Sequence, residues 1–192
     1  MVLELKSSWK IWSNCVSKSK PERGLIRKMT VKDIDQVLQW RNHINVRRFM
    51  FTQEEITLDE HRKWFERVSL DSHRHLLIFE NDGIPSGSVN FTRLDTLSIA
   101  DWSFYLAIDT KKGVGLQLGL AALDYAFDEL ELNKVCGKAL AFNDRSIQFH
   151  LNLGFKQEGI LREQHFDGEK FHDVVCFGLL AQEWNQLNQE GL

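Results

Sequence analysis

The sequence predicts a mixed α+β domain organised around one central βα unit. Three observations lead to this class. First, the run "SFYLAI" (103–108), aromatic and β-favouring, leads through "DTKKGVG" into Leu116, Leu120, Leu123, Phe127 and Leu130 at helical spacing. Second, two amphipathic stretches in the first half open on Thr with an acid three residues on. Third, "NDG" (81–83) and "DG" (167–168) each separate two strand-like runs, as hairpin turns do.

Taken in order, 24–29 reads as a first strand. The stretch 30–42 reads as a helix capped by Thr30, with Asp33 in its first turn, and 57–70 repeats the device with Thr57 and Glu60. Residues 74–80 and the run to Phe91 form a hairpin. Strand 98–108, the glycine loop and helix 115–130 make the central unit. Residues 134–142 are a further strand, and 143–155 a short helix that Asn143 caps and Gly154 ends. A second hairpin, 159–166 with 170–180, completes the chain. No internal repeat or low-complexity linker interrupts it.

A chain of 192 residues with 43% hydrophobic and 27% charged residues fits one globular domain with a sizeable core. The formal charge of −3 gives no basic footprint for nucleic acid. Residues 1–28 are the exception, with seven Lys or Arg against two acids. We therefore expect a basic N-terminal extension (1–23), a domain (24–184) and a C-terminal tail (185–192). No run approaches the ~20 apolar residues of a membrane span, and the start lacks a signal-peptide apolar core. Cys15, Cys136 and Cys176 are scattered and odd in number, which points to free thiols in a reducing, cytoplasmic setting. None of the seven histidines falls in a metal-binding pattern, His73 and His75 included, so no metal is expected. Asn90-Phe91-Thr92 matches a glycosylation acceptor that a cytoplasmic protein would not use.

The glycine loop carries the first chemical signal. Backbone amides at a helix start have no internal partners, and the helix dipole favours an anion there. Gly113 and Gly115 let a phosphate come close to the chain, and Lys111 and Lys112 add positive charge. A turn shaped by glycine for geometry alone is the alternative. No Gly-Lys-Ser/Thr ending is present, which excludes a nucleoside-triphosphate loop, and the glycine spacing is wrong for a dinucleotide fold. Three other residues sit out of place on their helix faces. Arg41 follows Ile34, Val37 and Leu38, and needs either an internal acid or an anionic ligand. His61 shares a face with Leu58, Phe65 and Val68, as a core histidine or a pocket residue. His150 shares a face with Asn143, Ser146 and Ile147.

These features together resemble the Gcn5-related N-acetyltransferase (GNAT) family over about residues 24–184. The strand–loop–helix "YLAIDTKKGVGLQLG" matches the family's acetyl-CoA loop, Q/R-x-x-G-x-G/A, read here as Thr110-Lys111-Lys112-Gly113-Val114-Gly115. "NDRSIQFHLNLGFKQEG" (143–159) is similar to N-x-x-A-x-x-x-Y-x-x-x-G-F-x-x-x-G, and the ending "FDGEKFHDVVCFGLLAQEW" is a third match. The resemblance implies a mixed, mostly antiparallel sheet of about seven strands with strands 4 and 5 splayed, and about four helices. It implies acetyl-CoA as cosubstrate, with Leu106, Ala107 and Ile108 along its pantetheine arm. Lys111, Lys112, Gly113, Val114, Gly115 and Leu116 would sit at its pyrophosphate, and Asn143 and Ser146 beside it. His150 takes the place of the family's Tyr, the acid to the departing thiolate, and the candidate bases are Asp101 or equally a water chain, with His61 second.

Within the family, "WRNHINVRRFMF" and "LDEHRKWFERV" look most like enzymes that acetylate the 4-amino group of a UDP-linked amino sugar in pseudaminic acid biosynthesis. That implies substrate contacts from Arg41, Asn42, His43, Met50, Phe51, His61 and Trp64, with Asn90 beside them. The expected partners are then acetyl-CoA and a UDP-amino sugar, with no nucleic acid or membrane, in a monomer or homodimer. Two other functions stay open. One is acetylation of protein N-termini, ribosomal ones included. The other is a non-catalytic acyl-CoA-binding module, which the substitutions at Thr110 and His150 would suit.

Overall fold

The computed structural model describes residues 24–94 and 98–190. Expectations for residues 1–23 and for Cys15 lie outside them. Seven strands form one sheet: β1 Leu25–Lys28, β2 Arg74–Asn81, β3 Ile84–Arg93, β4 Ile99–Leu106, β5 Lys134–Leu140, β6 Lys156–Phe166 and β7 Phe171–Leu180. Their spatial order is β1-β2-β3-β4-β5-β7-β6. All neighbours are antiparallel except β4 and β5, which run parallel. Asp82 and Gly83 close the first hairpin with φ of 52° and 73°, the left-handed pair that an Asp-Gly turn provides.

Six helices cover the sheet: α1 Ile34–Asn42, α2 Ile44–Arg47, α3 Leu58–Ser69, α4 Val114–Asp124, α5 Asp144–Asn152 and α6 Ala181–Glu190. About four were expected. The extra two are the single-turn α2 and α6, and α6 runs through the boundary expected at residue 184. Trp184 explains α6: its side chain is buried against Phe127, and its Nε1–H donates to Asp124 Oδ1 at 3.2 Å. The stretch 30–42 also departs from a plain helix. Residues Val31–Asp33 form a tighter 3₁₀ turn first, because the Asp33 carboxylate accepts from both Thr30 N–H and Arg27.

The core lies on both sheet faces. On one, α4 and α6 pack Leu118, Leu123 and Trp184 against Val89, Phe91 and Phe177. On the other, α1 and α3 pack Val37, Trp40, Phe65 and Val68 against Leu76 and Ile78. The α3 start is capped as the sequence predicts: Thr57 Oγ1 accepts from Glu60 N–H at 3.3 Å while Glu60 accepts from Thr57 N–H at 2.8 Å. Thr57→Ala removes one half of this exchange. It should cost about 1 kcal/mol and lower Tm by about 2–4 °C in a thermal melt. An unchanged Tm would show that the cap contributes nothing.

Candidate active site

The site forms where the parallel pair comes apart. β4 and β5 hold register only at Ile99↔Lys134, Ala100↔Val135 and Asp101↔Cys136. Beyond that rung β4 stays paired to β3 as far as Leu106, and β5 stays paired to β7 as far as Leu140. The gap between them opens into a cleft of about 1340 Å³, walled by both strands, α5 and the segment 43–51.

Backbone alternation decides which groups face the gap. Ala107 N–H donates to Ser86 O on β3 at 2.9 Å, and Ala107 O accepts from Thr110 Oγ1 at 3.2 Å. Alternate residues of an antiparallel ladder point opposite ways, so Phe104 and Leu106 turn their N–H and C=O into the gap. Leu106, Ala107 and Ile108 all line the cleft. Ala107, however, cannot pair with an incoming pantetheine arm as expected, since both of its backbone groups are engaged. Phe104, which was not expected, can.

At the lip of the cleft Gly113 adopts φ +98° and caps α4. Leu116 and Gln117 N–H bond back to Gly113 O, and Val114 N–H to Lys111 O. The amides of Lys112, Gly113 and Gly115 have no acceptor among the described residues. These open donors, with the exposed Lys111 and Lys112 beside them, form an anion cradle at a helix start. A Cβ on Gly115 would stand 3.3 Å from Leu106 Cδ1, so the bare glycine keeps the floor between cradle and strand low. A pantetheine-and-pyrophosphate ligand therefore fits. Thr110, at the family's Q/R position, spends its hydroxyl inside the turn.

Asn143 caps α5 by accepting from Ser146 N–H at 3.2 Å, and both residues line the cleft. His150, one turn on, is placed differently from the expected acid. Its side chain is only 1% exposed. Ser146 O can only accept, so Nδ1, at 2.7 Å, carries the proton; Trp102 Nε1 can only donate, so Nε2, at 3.1 Å, is the acceptor. These partners assign the ring as the neutral Nδ1–H tautomer, with no N–H left for a thiolate. Burial pushes its pKa down to about 4. It stacks on Phe177 with ring centroids 4.7 Å apart.

Asp101 lines the cleft beside the last paired rung, and its Oδ2 bonds Lys138 Nζ at 2.9 Å. Any proton it takes from an amine must go to its other oxygen or displace Lys138. That hydrogen bond raises the pKa of Lys138.

The expected substrate residues divide into two groups. His43, Met50 and Phe51 line the cleft, joined by Arg48 and Phe49. Arg41, Asn42, His61, Trp64 and Asn90 do not. Arg41 is buried and donates to Thr52 O, while Asn42 exchanges two hydrogen bonds with the Ile56 backbone, at 2.7 and 3.0 Å. Both anchor the 48–56 segment, a strap whose residues 48–51 line the cleft. The internal acid considered for Arg41 is absent among the described residues; a backbone carbonyl takes its place. Burial lowers the pKa of Arg41 and of His61, whose ring stacks on Trp64 at 5.1 Å. The strap meets the second hairpin through Phe51 against His165, with centroids 5.7 Å apart.

Sequence reasoning missed Lys138, Tyr105 and Trp102. Alternation along "KVCGKAL" places Cys136 and Lys138 on one face, a signal that could have found Lys138. Tyr105 lines the cleft and hydrogen-bonds Ser88, and burial pushes its phenol up to about 12. Nothing in the local sequence marks Trp102. Cys136 and Cys176 are both free thiols. Among the described residues no His, Cys, Asp and Glu cluster could hold a metal, and no helix is long and apolar enough to cross a membrane.

A sheet parted at a parallel pair, with an amide cradle at the lip, defines an acyl-CoA-dependent transferase. Residues 23–156 match the Acetyltransferase (GNAT) domain, and the chain belongs to that family of N-acetyltransferases, which use acetyl-CoA. It is 31% identical over 127 residues to the SPbeta prophage-derived uncharacterized N-acetyltransferase YokL of Bacillus subtilis, covering 64% of this chain and 71% of that one. It is 30% identical over 149 residues to the acetyltransferase PseH of Campylobacter jejuni, covering 76% and 85%. The spermidine N-acetyltransferase of Vibrio cholerae, solved with CoA and spermine, superposes with a TM-score of 0.80 at 21% identity, covering 86% of this chain and 99% of that one.

Proposed function

We propose that the chain transfers acetyl from acetyl-CoA to the 4-amino group of a UDP-linked amino sugar, the acceptor class of the pseudaminic acid type. One observation carries this reading: the acceptor end of the cleft is framed by His43, Arg48, Phe49, Met50 and Phe51, and the only carboxylate on the cleft wall among the described residues, Asp101, is tied to Lys138. A polyamine acceptor needs free carboxylates. A sugar nucleotide needs a cation for its diphosphate and flat or soft apolar surface for its base. Arg48, stacked over Phe49 at 4.6 Å, offers both in one place. The resemblance of "WRNHINVRRFMF" and "LDEHRKWFERV" to amino-sugar acetyltransferases supports the same acceptor.

In the transfer a neutral amine attacks the thioester carbonyl, the C–N bond forms, the C–S bond breaks, and coenzyme A leaves as thiolate. The proton shed by the amine nitrogen passes to solvent water or to the Asp101 oxygen not bonded to Lys138. The outward N–H of Phe104 or Leu106 supports the oxyanion of the tetrahedral intermediate. The free thiols of Cys136 and Cys176 suit a reducing cytoplasm, where we place the enzyme. The test is labelled acetyl-CoA with a UDP-4-amino sugar, spermidine or a ribosomal N-terminal peptide in separate reactions. Label should pass to the sugar nucleotide alone. Arg48→Ala should raise KM for it by about 10-fold, the loss of one charged hydrogen bond, with KM for acetyl-CoA unchanged. Transfer to spermidine or peptide, with none to the sugar, would overturn the proposal.

A further inference from the structure

Where the family motif has Tyr, this chain has a histidine whose two nitrogens are both engaged inside the fold. The place of that histidine relative to the strands is informative. Pairing of β4 with β5 ends at Asp101↔Cys136, so the first rung that fails to form is Trp102 opposite Gly137. Over that missing rung lie the Trp102 indole and the His150 imidazole, joined edge to edge by the 3.1 Å hydrogen bond. A Cβ on Gly137 would collide with His150 Nε2 and would stand 2.9 Å from Trp102 Nε1. The pair therefore occupies the space that any side chain at 137 would take. Its position is fixed from several sides. Phe177, the β7 partner of Gly137, lies flat under the imidazole at 4.7 Å. Phe155 meets both rings, at 5.1 Å from His150 and 5.2 Å from Trp102, and Phe104 packs on Trp102 at 4.7 Å.

We propose that the Trp102–His150 pair is the wedge that parts β4 from β5, making His150 a positioning residue that opens the acetyl-CoA channel. Bonded together, the two rings form one rigid unit spanning from α5 to β4 across the bare backbone of Gly137. The hydrogen bond works only with an unprotonated Nε2, and the Ser146 carbonyl enforces that state by holding the proton on Nδ1. An acid at position 150 would need a proton on Nε2, which would face the indole N–H and break the wedge. The two roles therefore exclude each other.

The test needs no acceptor, so its outcome is independent of the sugar-nucleotide reading. Acetyl-CoA affinity is measured by calorimetry for the wild type, His150→Phe and His150→Gln. Phenylalanine keeps the ring but leaves the buried indole N–H unpaired, and Kd should rise about 10-fold, the usual cost of such a loss. The glutamine side-chain oxygen reaches the position of Nε2 and should bring Kd back to within a few-fold of wild type. Nitrogen NMR of the full chain should show His150 as the Nδ1–H tautomer near neutral pH. The Trp102 indole resonance should move in the Phe variant and return in the Gln variant. Unchanged Kd in both variants would overturn the wedge, and so would an Nε2–H tautomer in the wild type. The wild-type tautomer decides the matter even if His150→Phe fails to fold.

Discussion

Gly113→Asp is expected to weaken acetyl-CoA binding by about 100-fold or more. Two costs add. Gly113 has φ +98°, a conformation that residues with a Cβ adopt only under strain; a loop that relaxes this strain in the free enzyme must regain it on binding, which costs up to about 1–3 kcal/mol. The new carboxylate would also stand at the mouth of the amide cradle formed by Lys112, Gly113 and Gly115, where the ligand brings phosphate. A 100-fold change corresponds to about 2.7 kcal/mol, within reach of strain plus repulsion. Nothing lies within 4 Å of the position a Cβ would take, so the substitution meets no wall and the domain should still fold. Gly113→Ala carries the strain without the charge and should fall between wild type and Asp. Calorimetry with acetyl-CoA measures all three. An Asp variant that is folded and binds as tightly as wild type would remove the cradle from the cofactor site.

The second large effect is a loss of stability in mild acid that traces to one ring. Imidazole ordinarily titrates at 6.5, and burial pushes His150 down to about 4. Between those two values the unfolded chain binds a proton there and the folded chain does not. Stability therefore rises with pH across this window: it is complete above 6.5 and is lost as pH falls toward 4. With His150 only 1% exposed, the difference is worth about 3 kcal/mol. His61 and His75 are shifted the same way by burial and add to the slope. Urea unfolding of wild type and His150→Gln at pH 7.5 and 4.5 isolates the contribution. The variant should be less stable at pH 7.5 yet lose less on acidification. Equal losses in the two proteins would assign the acid sensitivity elsewhere.

Much of the site was legible because its signals are local. Thr57 and Glu60 are three residues apart, so their exchange of hydrogen bonds depends on nothing outside one helical turn. The Gly113 cradle likewise needs only a strand end, two glycines and a helix start. Where the reading went astray, the deciding partner is distant in sequence. Arg41 was rightly seen as a charge on an apolar face, but its partner is the Thr52 carbonyl, placed by the fold of the strap. His61, on the same reasoning, lies buried against Trp64 and off the cleft wall. Ala107 looked equivalent to its neighbours until the β3 ladder engaged its amide with Ser86.

By itself, the sequence determined the order of the seven strands and of four of the six helices, both hairpin turns, the caps of α3 and α5, and the phosphate-ready loop before α4. Each depends on dihedral preference, periodicity or hydrogen bonds among residues a few positions apart. Tertiary structure alone decided which β4 groups face the gap, which charges reach the cleft, and what His150 does. Helical spacing placed His150 on the face of Asn143. Its proton, however, is held by Ser146 while its other nitrogen is bound by Trp102, 48 residues away on another element. A ring nitrogen takes its donor or acceptor role from whatever the fold sets against it, and a pattern along one helix carries no record of that partner.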